Sequence, residues 1–199
     1  MNIFLQKRFM LNKITHTWRW LFSFIAYFLY GFFSLLGAII FFIPFIILPK
    51  KSSKKLAQFL VHFSYCALTK FLIITGVMGI KVDNKPLLKN LKGTLIIANH
   101  PSFLDIVVLL SILPRADCIV KASLWNNLFV GCMIRASQYI ISDNPHQLVE
   151  TCIKRLNEGN NVVIFPEGTR SNPESLKEFK RGFATIAIGS ECSLVPIYL

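Results

Sequence analysis

The chain has 199 residues, 53% of them hydrophobic and only 16% charged, with 22 Lys and Arg against 10 Asp and Glu. Soluble domains carry about a quarter charged residues, so this balance argues against a freely soluble globule and for membrane contact, and the length admits one ordinary domain plus an appendage. The net charge of +12 is one-sided: the first acidic residue is Asp83, and Lys7, Arg8, Lys13, Arg19, Lys50, Lys51, Lys54, Lys55, Lys70 and Lys81 before it are unopposed. Such a segment is drawn to anionic headgroups. Nucleic acid is not expected as a partner, because the basic residues flank apolar segments and form no polar face interleaved with aromatics. Cys66, Cys118, Cys132, Cys152 and Cys192 are dispersed, odd in number and free of CxxC or Cys/His clusters. This excludes zinc and disulfide frameworks and reads as buried free thiols in a reducing compartment.

Residues 1–19 are basic and polar, and Trp20 to Leu48 is uncharged throughout. That is longer than the roughly 20 residues of one span. It is also too long for the apolar core of a cleaved signal, about 7–15 residues. Gly31, Gly37, Pro44 and Pro49 interrupt it, so it reads as one tilted helix or one that breaks near Pro44. Basic residues flank it on both sides, which leaves the positive-inside rule undecided. Ser52 or Ser53 reads as the cap of a second helix. From Leu56 to Ile74 that helix carries Gln58, His62, Ser64, Thr69 and Lys70, too polar for a comfortable span. It suits an interfacial helix packed on the first, with His62 as a packing residue.

From Gly79 the pattern alternates, and Ile80 to Asp83 reads as a short strand. Thr94 to Ala98 is an apolar strand, followed by a helix to about Leu113. Cys118 to Lys121 is a strand, Leu124 to Ala136 a helix, and Tyr139 to Ile141 a strand. Asn144-Pro145 opens an amphipathic helix that stops at Gly159. Val162 to Phe165 is a strand, Phe179 to Gly189 a helix, and Leu194 to Ile197 a last strand. Near-continuous apolar strands alternating with helices predict an α/β fold. Its sheet is expected to be mostly parallel or mixed, flanked by helices and preceded by an N-terminal hydrophobic helix or helical hairpin. The expected division is 1–78, basic membrane-anchoring helices, and 79–199, the α/β domain.

Two loops carry the chemistry. His100 and Asp105 lie five residues apart where the first strand turns into a helix, at the strand end where α/β proteins place their sites. A turn plus about one helical turn returns the carboxylate to the imidazole, fixes its tautomer and leaves the other nitrogen as a base. Alone, the pair equally describes a polar turn with Asp105 exposed. After strand 162–165 comes Pro166-Glu167-Gly168-Thr169-Arg170-Ser171. Gly168 permits a close backbone approach, Arg170 offers a planar donor fork for phosphate, and Glu167 orients it or binds a hydroxyl. Alone, this loop also describes a surface turn with a solvated Glu–Arg pair.

Asn99-His100-x4-Asp105, then Phe165 to Ser171, then Val195-Pro196-Ile197, together resemble the glycerolipid acyltransferase family, and more narrowly its lysophosphatidic acid (1-acylglycerol-3-phosphate) acyltransferases. Three of the family's four sequence blocks are readable between residues 79 and 199. The resemblance implies transfer of a fatty acyl chain from acyl-CoA or acyl carrier protein to a lysophospholipid hydroxyl. His100 would be general base and Asp105 its orienting carboxylate. Glu167, Gly168, Thr169 and Arg170 would hold the acceptor. It implies no metal and no cofactor beyond the thioester co-substrate. It also implies membrane lipids as partners and attachment to a bacterial inner membrane with the catalytic domain facing the cytoplasm. The family's second block usually carries an arginine, and Ser137 to Asp143 has none; Lys121 or Arg135 stand as substitutes on the acceptor phosphate. Family members usually continue beyond the Val195–Ile197 block, so an uncovered sheet edge is expected. Another lysophospholipid or amino-lipid acceptor is the near alternative, and an inactive membrane-anchored lipid-binding protein the distant one.

Overall fold

In the computed structural model, which describes residues 15–32, 36, 50–83, 85–102, 104–127, 130–168 and 179–199, the apolar runs of the second half of the chain pair as strands. β1 (Thr94–Ala98), β2 (Asp117–Val120), β3 (Ile140–Ile141), β4 (Val162–Ile164) and β5 (Ser193–Ile197) form one sheet in the order β3-β2-β4-β1-β5. All four pairings are parallel. Parallel strands need crossovers, and helices supply them: α4 (Leu104–Ile112), α5 (Ala122–Trp125), α6 (Gly131–Ala136), α7 (Pro145–Asn157) and α8 (Gly182–Ser190).

Strand alternation divides the interior into two layers. Ile96, Ala98, Cys118 and Val163 point to one face, where Val107, Leu109, Leu110 and Ile134 of α4 and α6 cover them. Leu95, Val162 and Ile164 point to the other, against Cys152 and Leu156 of α7 and Ile186 of α8. The sheet is therefore buried on both faces, which is why its strands read as unbroken apolar runs. Asn144 caps α7 by accepting from the amides of His146 and Gln147, with Pro145 in the first turn.

Before the sheet come α1 (residues 15–32), α2 (Lys50–Ile74) and the short α3 (Lys85–Lys89). The indole of Trp18 donates to the Thr75 carbonyl at 3.1 Å. Phe22 meets Phe71 with ring centroids 6.3 Å apart, and the hydroxyls of Tyr30 and Tyr65 lie 3.3 Å apart. Partner numbers fall along α2 as they rise along α1, so the two helices are antiparallel. Trp18, Phe22 and Tyr30, with buried Ala26, make the four-residue stripe that this packing requires. The opposite side of α1 is uncovered: Trp20, Phe24 and Phe28 are 68%, 67% and 65% exposed. The expected break near Pro44 falls outside the described residues.

Several polar residues of α2 turn inward. Gln58 Nε2 donates to Asp117 Oδ1 at 2.7 Å, Lys54 Nζ to Asp117 Oδ2 at 2.9 Å, and His62 Nδ1 lies 2.7 Å from the Leu110 carbonyl. Thr69 is buried as well, whereas Phe59 and Phe63 face outward. Ala57, Val61 and Tyr65 join the layer formed by α4. Of the residues that count against a span on composition, Gln58, His62 and Thr69 are thus on the docking side of α2, while Ser64 and Lys70 are exposed. By length and composition, Ser52–Ile74 is the one candidate membrane span among the described residues.

Three local expectations are corrected. Residues 79–83 form no strand and pair with neither edge of the sheet, β3 or β5. Ser52 and Ser53 are not caps, because α2 starts at Lys50 and Ser53 is buried within it. The helix expected over 124–136 is split into α5 and α6. There Asn127 Oδ1 accepts from the Val130 amide, and Gly131 packs so tightly on Trp125 that a Cβ would collide with its carbonyl. Of the five cysteines, none in a disulfide, Cys118 and Cys152 are buried and the other three only partly so. Burial pushes the Cys152 thiol up to about 12, which keeps it protonated and inert.

Candidate active site

The register Ile97↔Ile164 sets the ends of β1 and β4 side by side. From β1 the chain crosses towards β2, and from β4 it crosses the other way to β5. Right-handed crossovers in opposite directions put the two following helices on opposite faces, as the two apolar layers record. A crevice opens between the carboxyl ends of such strands, and both motif loops emerge there.

His100 Nδ1 lies 2.8 Å from Asp105 Oδ2. Asp105 is in the first turn of α4 and buried. It also accepts the Ser102 amide on Oδ2 at 2.6 Å and the Ser102 hydroxyl on Oδ1 at 2.7 Å. The Ser102 oxygen in turn accepts the Leu104 amide at 3.1 Å. Asp105 reaches back to the Ser102 amide as the acidic residue of a capping box does, while the Ser102 oxygen takes the Leu104 amide two residues on. With three donors directed at one carboxylate, Nδ1 must carry its proton, so Nε2 holds the lone pair. The polar-turn alternative with an exposed Asp105 is excluded by its burial. Replacing Ser102 with alanine is expected to lower kcat about tenfold, from the lost bond to a charged acceptor. KM should be unchanged, about 1 kcal/mol of stability lost with the cap, and Ser102→Thr should restore both. Steady-state kinetics and thermal unfolding of the variants check this.

Phe165, one residue past β4, stacks on the His100 ring with centroids 4.2 Å apart and planes 18° apart. Glu167 follows, buried. The Gly168 amide donates to the Phe165 carbonyl at 3.0 Å, and the Lys180 amide to the Pro166 carbonyl at 2.9 Å. Gly168 has φ +67°, and a Cβ there would come within 2.7 Å of Lys180 Nζ. Glycine is therefore favoured by backbone sign, while the Lys180 tip could swing aside for a Cβ.

The acyltransferase family model matches residues 79–199. The chain belongs to the acyltransferase family. It is an O-acyltransferase. A 1-acyl-sn-glycerol-3-phosphate acyltransferase of Bacillus subtilis is 33% identical over 139 residues, 67% of this chain and 69% of that protein. One from Cocos nucifera is 33% identical over 111 residues, 52% of this chain and 36% of that protein. One from Helicobacter pylori is 33% identical over 112 residues, 53% and 47% of the two. The chain thus spans less than half the length of the latter two relatives. The crystal structure of the 1-acyl-sn-glycerophosphate (LPA) acyltransferase from Thermotoga maritima shares the fold, with a TM-score of 0.70 at 20% identity over 89% of this chain and 72% of that one.

In this acyltransferase the expected site residues are only partly described. His100 and Asp105 are together, and Glu167 and Gly168 lie on the adjoining loop. Thr169, Arg170 and Ser171 fall outside the described residues. Lys121 is exposed just past the carboxyl end of β2, next but one to β1 in the sheet. Arg135 Nη1 donates to the Trp125 carbonyl at 2.6 Å, which ties its guanidinium to α5. A groove of about 330 Å3 between β3 and α7, lined by Gln138, Ile141, Asp143, Gln147 and Arg155, lies at the far edge of the sheet and contains neither motif. Among the described residues no group of three or more His, Cys, Asp or Glu is placed to hold a metal ion.

Three residues of the site have roles that the motif reading does not assign. Ser102 is announced by its capping-box spacing. Phe165 passes for the end of a strand. Asn99 has a scaffolding role: its side chain donates to the Leu199 carbonyl at 3.1 Å and accepts the Leu199 amide at 2.7 Å. It thereby ties the start of the catalytic loop to the segment leaving β5. On its outer side β5 is the uncovered edge of the sheet, with Leu194 and Tyr198 exposed.

Proposed function

We propose that this acyltransferase moves a fatty acyl chain from acyl-CoA or acyl carrier protein to the free hydroxyl of lysophosphatidic acid, giving phosphatidic acid in phospholipid synthesis. The observation that carries the reading is the 2.8 Å bond between His100 Nδ1 and Asp105. It supports proton abstraction by Nε2 at the strand ends where the Pro166–Gly168 turn also emerges. Nε2 takes the proton as the acceptor oxygen attacks the thioester carbonyl carbon. The carbon–sulfur bond then breaks, and the imidazolium returns the proton to the departing thiolate. Asp105 stabilises the imidazolium in between. No acyl-enzyme forms, and the thioester itself supplies the activated acyl group, so no cofactor is used.

Glu167, Gly168 and Thr169 hold the glycerol end of the acceptor, and Arg170 and Lys121 its phosphate. Backbone amides of the two loops receive the developing oxyanion. The α1/α2 pair seats the domain on the bilayer through Trp20, Phe24, Phe28, Phe59 and Phe63, the large side chains it leaves exposed. Its unopposed lysines and arginines meet anionic headgroups, and we place the protein on the cytoplasmic face of a bacterial inner membrane. Incubating the purified protein with an acyl thioester and a mixture of lysolipids tests the acceptor. Lysophosphatidic acid should be consumed first, and equal use of phosphate-free acceptors would overturn that assignment.

A further inference from the structure

The aromatic ring on His100 belongs to the second motif, not the first. β1 and β4 are far apart in sequence, yet Ile97↔Ile164 pairing brings Phe165 flat against the imidazole at 4.2 Å and 18°. Asp105 fixes one edge of that ring through Nδ1, and an edge bond alone leaves rotation about its axis open. The Phe165 face removes that freedom. An aromatic face also carries negative charge density, which attracts a cation stacked on it. In the proposed transfer the neutral His100 ring gains positive charge as the acceptor proton arrives, so such a contact favours the transition state over the state that precedes it.

We infer that Phe165 is a positioning residue of the acyl-transfer step, setting the plane of His100 and stabilising its imidazolium through the π face. This rests on the proposed role of His100 as general base. The charged groups brought to this edge among the described residues are Asp105 from α4, Glu167 and Lys180 from the loop between β4 and α8, and Lys121 after β2. Substitution of Phe165 leaves all four in place, so a change in the behaviour of His100 is traceable to the ring.

Two readouts on the full-length protein in detergent test the inference. Histidine-labelled NMR at one fixed pH, with the His100 signal assigned from His100→Ala, needs no substrate. The imidazolium-to-imidazole ratio of His100 should fall about two- to fivefold in Phe165→Leu and stay near wild type in Phe165→Tyr. Pentafluorophenylalanine incorporated at position 165 keeps the ring's shape and inverts the charge of its face. It should lower the ratio at least as far, and it serves as the decisive probe if Phe165→Leu does not fold. On whichever acceptor is used, kcat should fall by a similar factor with KM unchanged. An unchanged ratio with the fluorinated ring would overturn the inference. A wild-type protein that shows the NMR difference yet transfers no acyl group would instead overturn the proposed function.

Discussion

Replacing His100 with alanine is expected to lower acyl transfer by about 10²–10⁴-fold, the range that a positioned general base contributes, with the thermal unfolding midpoint near wild type. The two partners that hold His100 cannot take over the proton: the Ser102 hydroxyl is donating to Asp105 at 2.7 Å, and the Asp105 carboxylate is buried under three donors. Asp105→Asn should be nearly as damaging for a different reason. The amide oxygen of asparagine would take the place of Oδ2, where Nδ1 and the Ser102 amide both need an acceptor, and its NH2 would turn to the Ser102 hydroxyl. The tautomer is kept, but the negative charge that stabilises the imidazolium is gone. Steady-state rates with matched circular dichroism check both variants. An Asp105→Asn protein with wild-type kcat would show that the Asp105 charge does not stabilise the imidazolium.

The second large effect lies at the opposite edge of the sheet. Asp117, the first residue of β2, has a fully buried side chain held by Lys54 at 2.9 Å and approached by Arg155 at 3.7 Å. Gln58 closes the cluster, donating also to the Ser137 carbonyl at 3.3 Å. Asp117→Ala would leave Lys54 buried without its carboxylate beside Arg155, which keeps only Glu158 at 3.8 Å, and removing one member of a buried pair costs about 3–5 kcal/mol. Lys54→Met should cost clearly less. The carboxylate keeps Gln58 and Arg155, and methionine fills the space of the lysine stem. Denaturation in detergent measures both, and equal destabilisation would contradict this asymmetry. Because Lys54 and Gln58 belong to α2 and Asp117 to the sheet, the cluster also fixes the register of the α1/α2 pair on the domain.

The sheet was largely legible in the sequence because a strand buried on both faces must be apolar without alternation, as Leu95-Ile96-Ile97 and Val162-Val163-Ile164 are. Strand order was not legible. Nothing in the composition of β4 says that it inserts between β2 and β1, and only that insertion places Phe165 on His100. The pair His100 and Asp105 could be read from spacing. The burial of Asp105 could have been read too, from Ser102 three residues before it, a capping signal hidden inside the more conspicuous histidine motif. The α2 helix misleads for a physical reason: composition counts Lys54, Gln58 and His62 as exposed polar residues, whereas all three are spent on Asp117 or on the Leu110 carbonyl. The break between α5 and α6 depends on the close approach of Gly131 to Trp125, a tertiary contact that periodicity does not contain.

Phosphatidic acid formation is the most direct measurement of all. Purified protein is incubated with acyl-CoA or acyl carrier protein thioester and lysophosphatidic acid, and the lipid fraction is weighed by mass spectrometry beside a His100→Ala control. The prediction is a product heavier than lysophosphatidic acid by one acyl chain, formed by the wild-type protein and lost in the variant. A wild-type protein that leaves lysophosphatidic acid unchanged, or a variant that converts it as fast, would contradict acyl transfer by the His100–Asp105 pair.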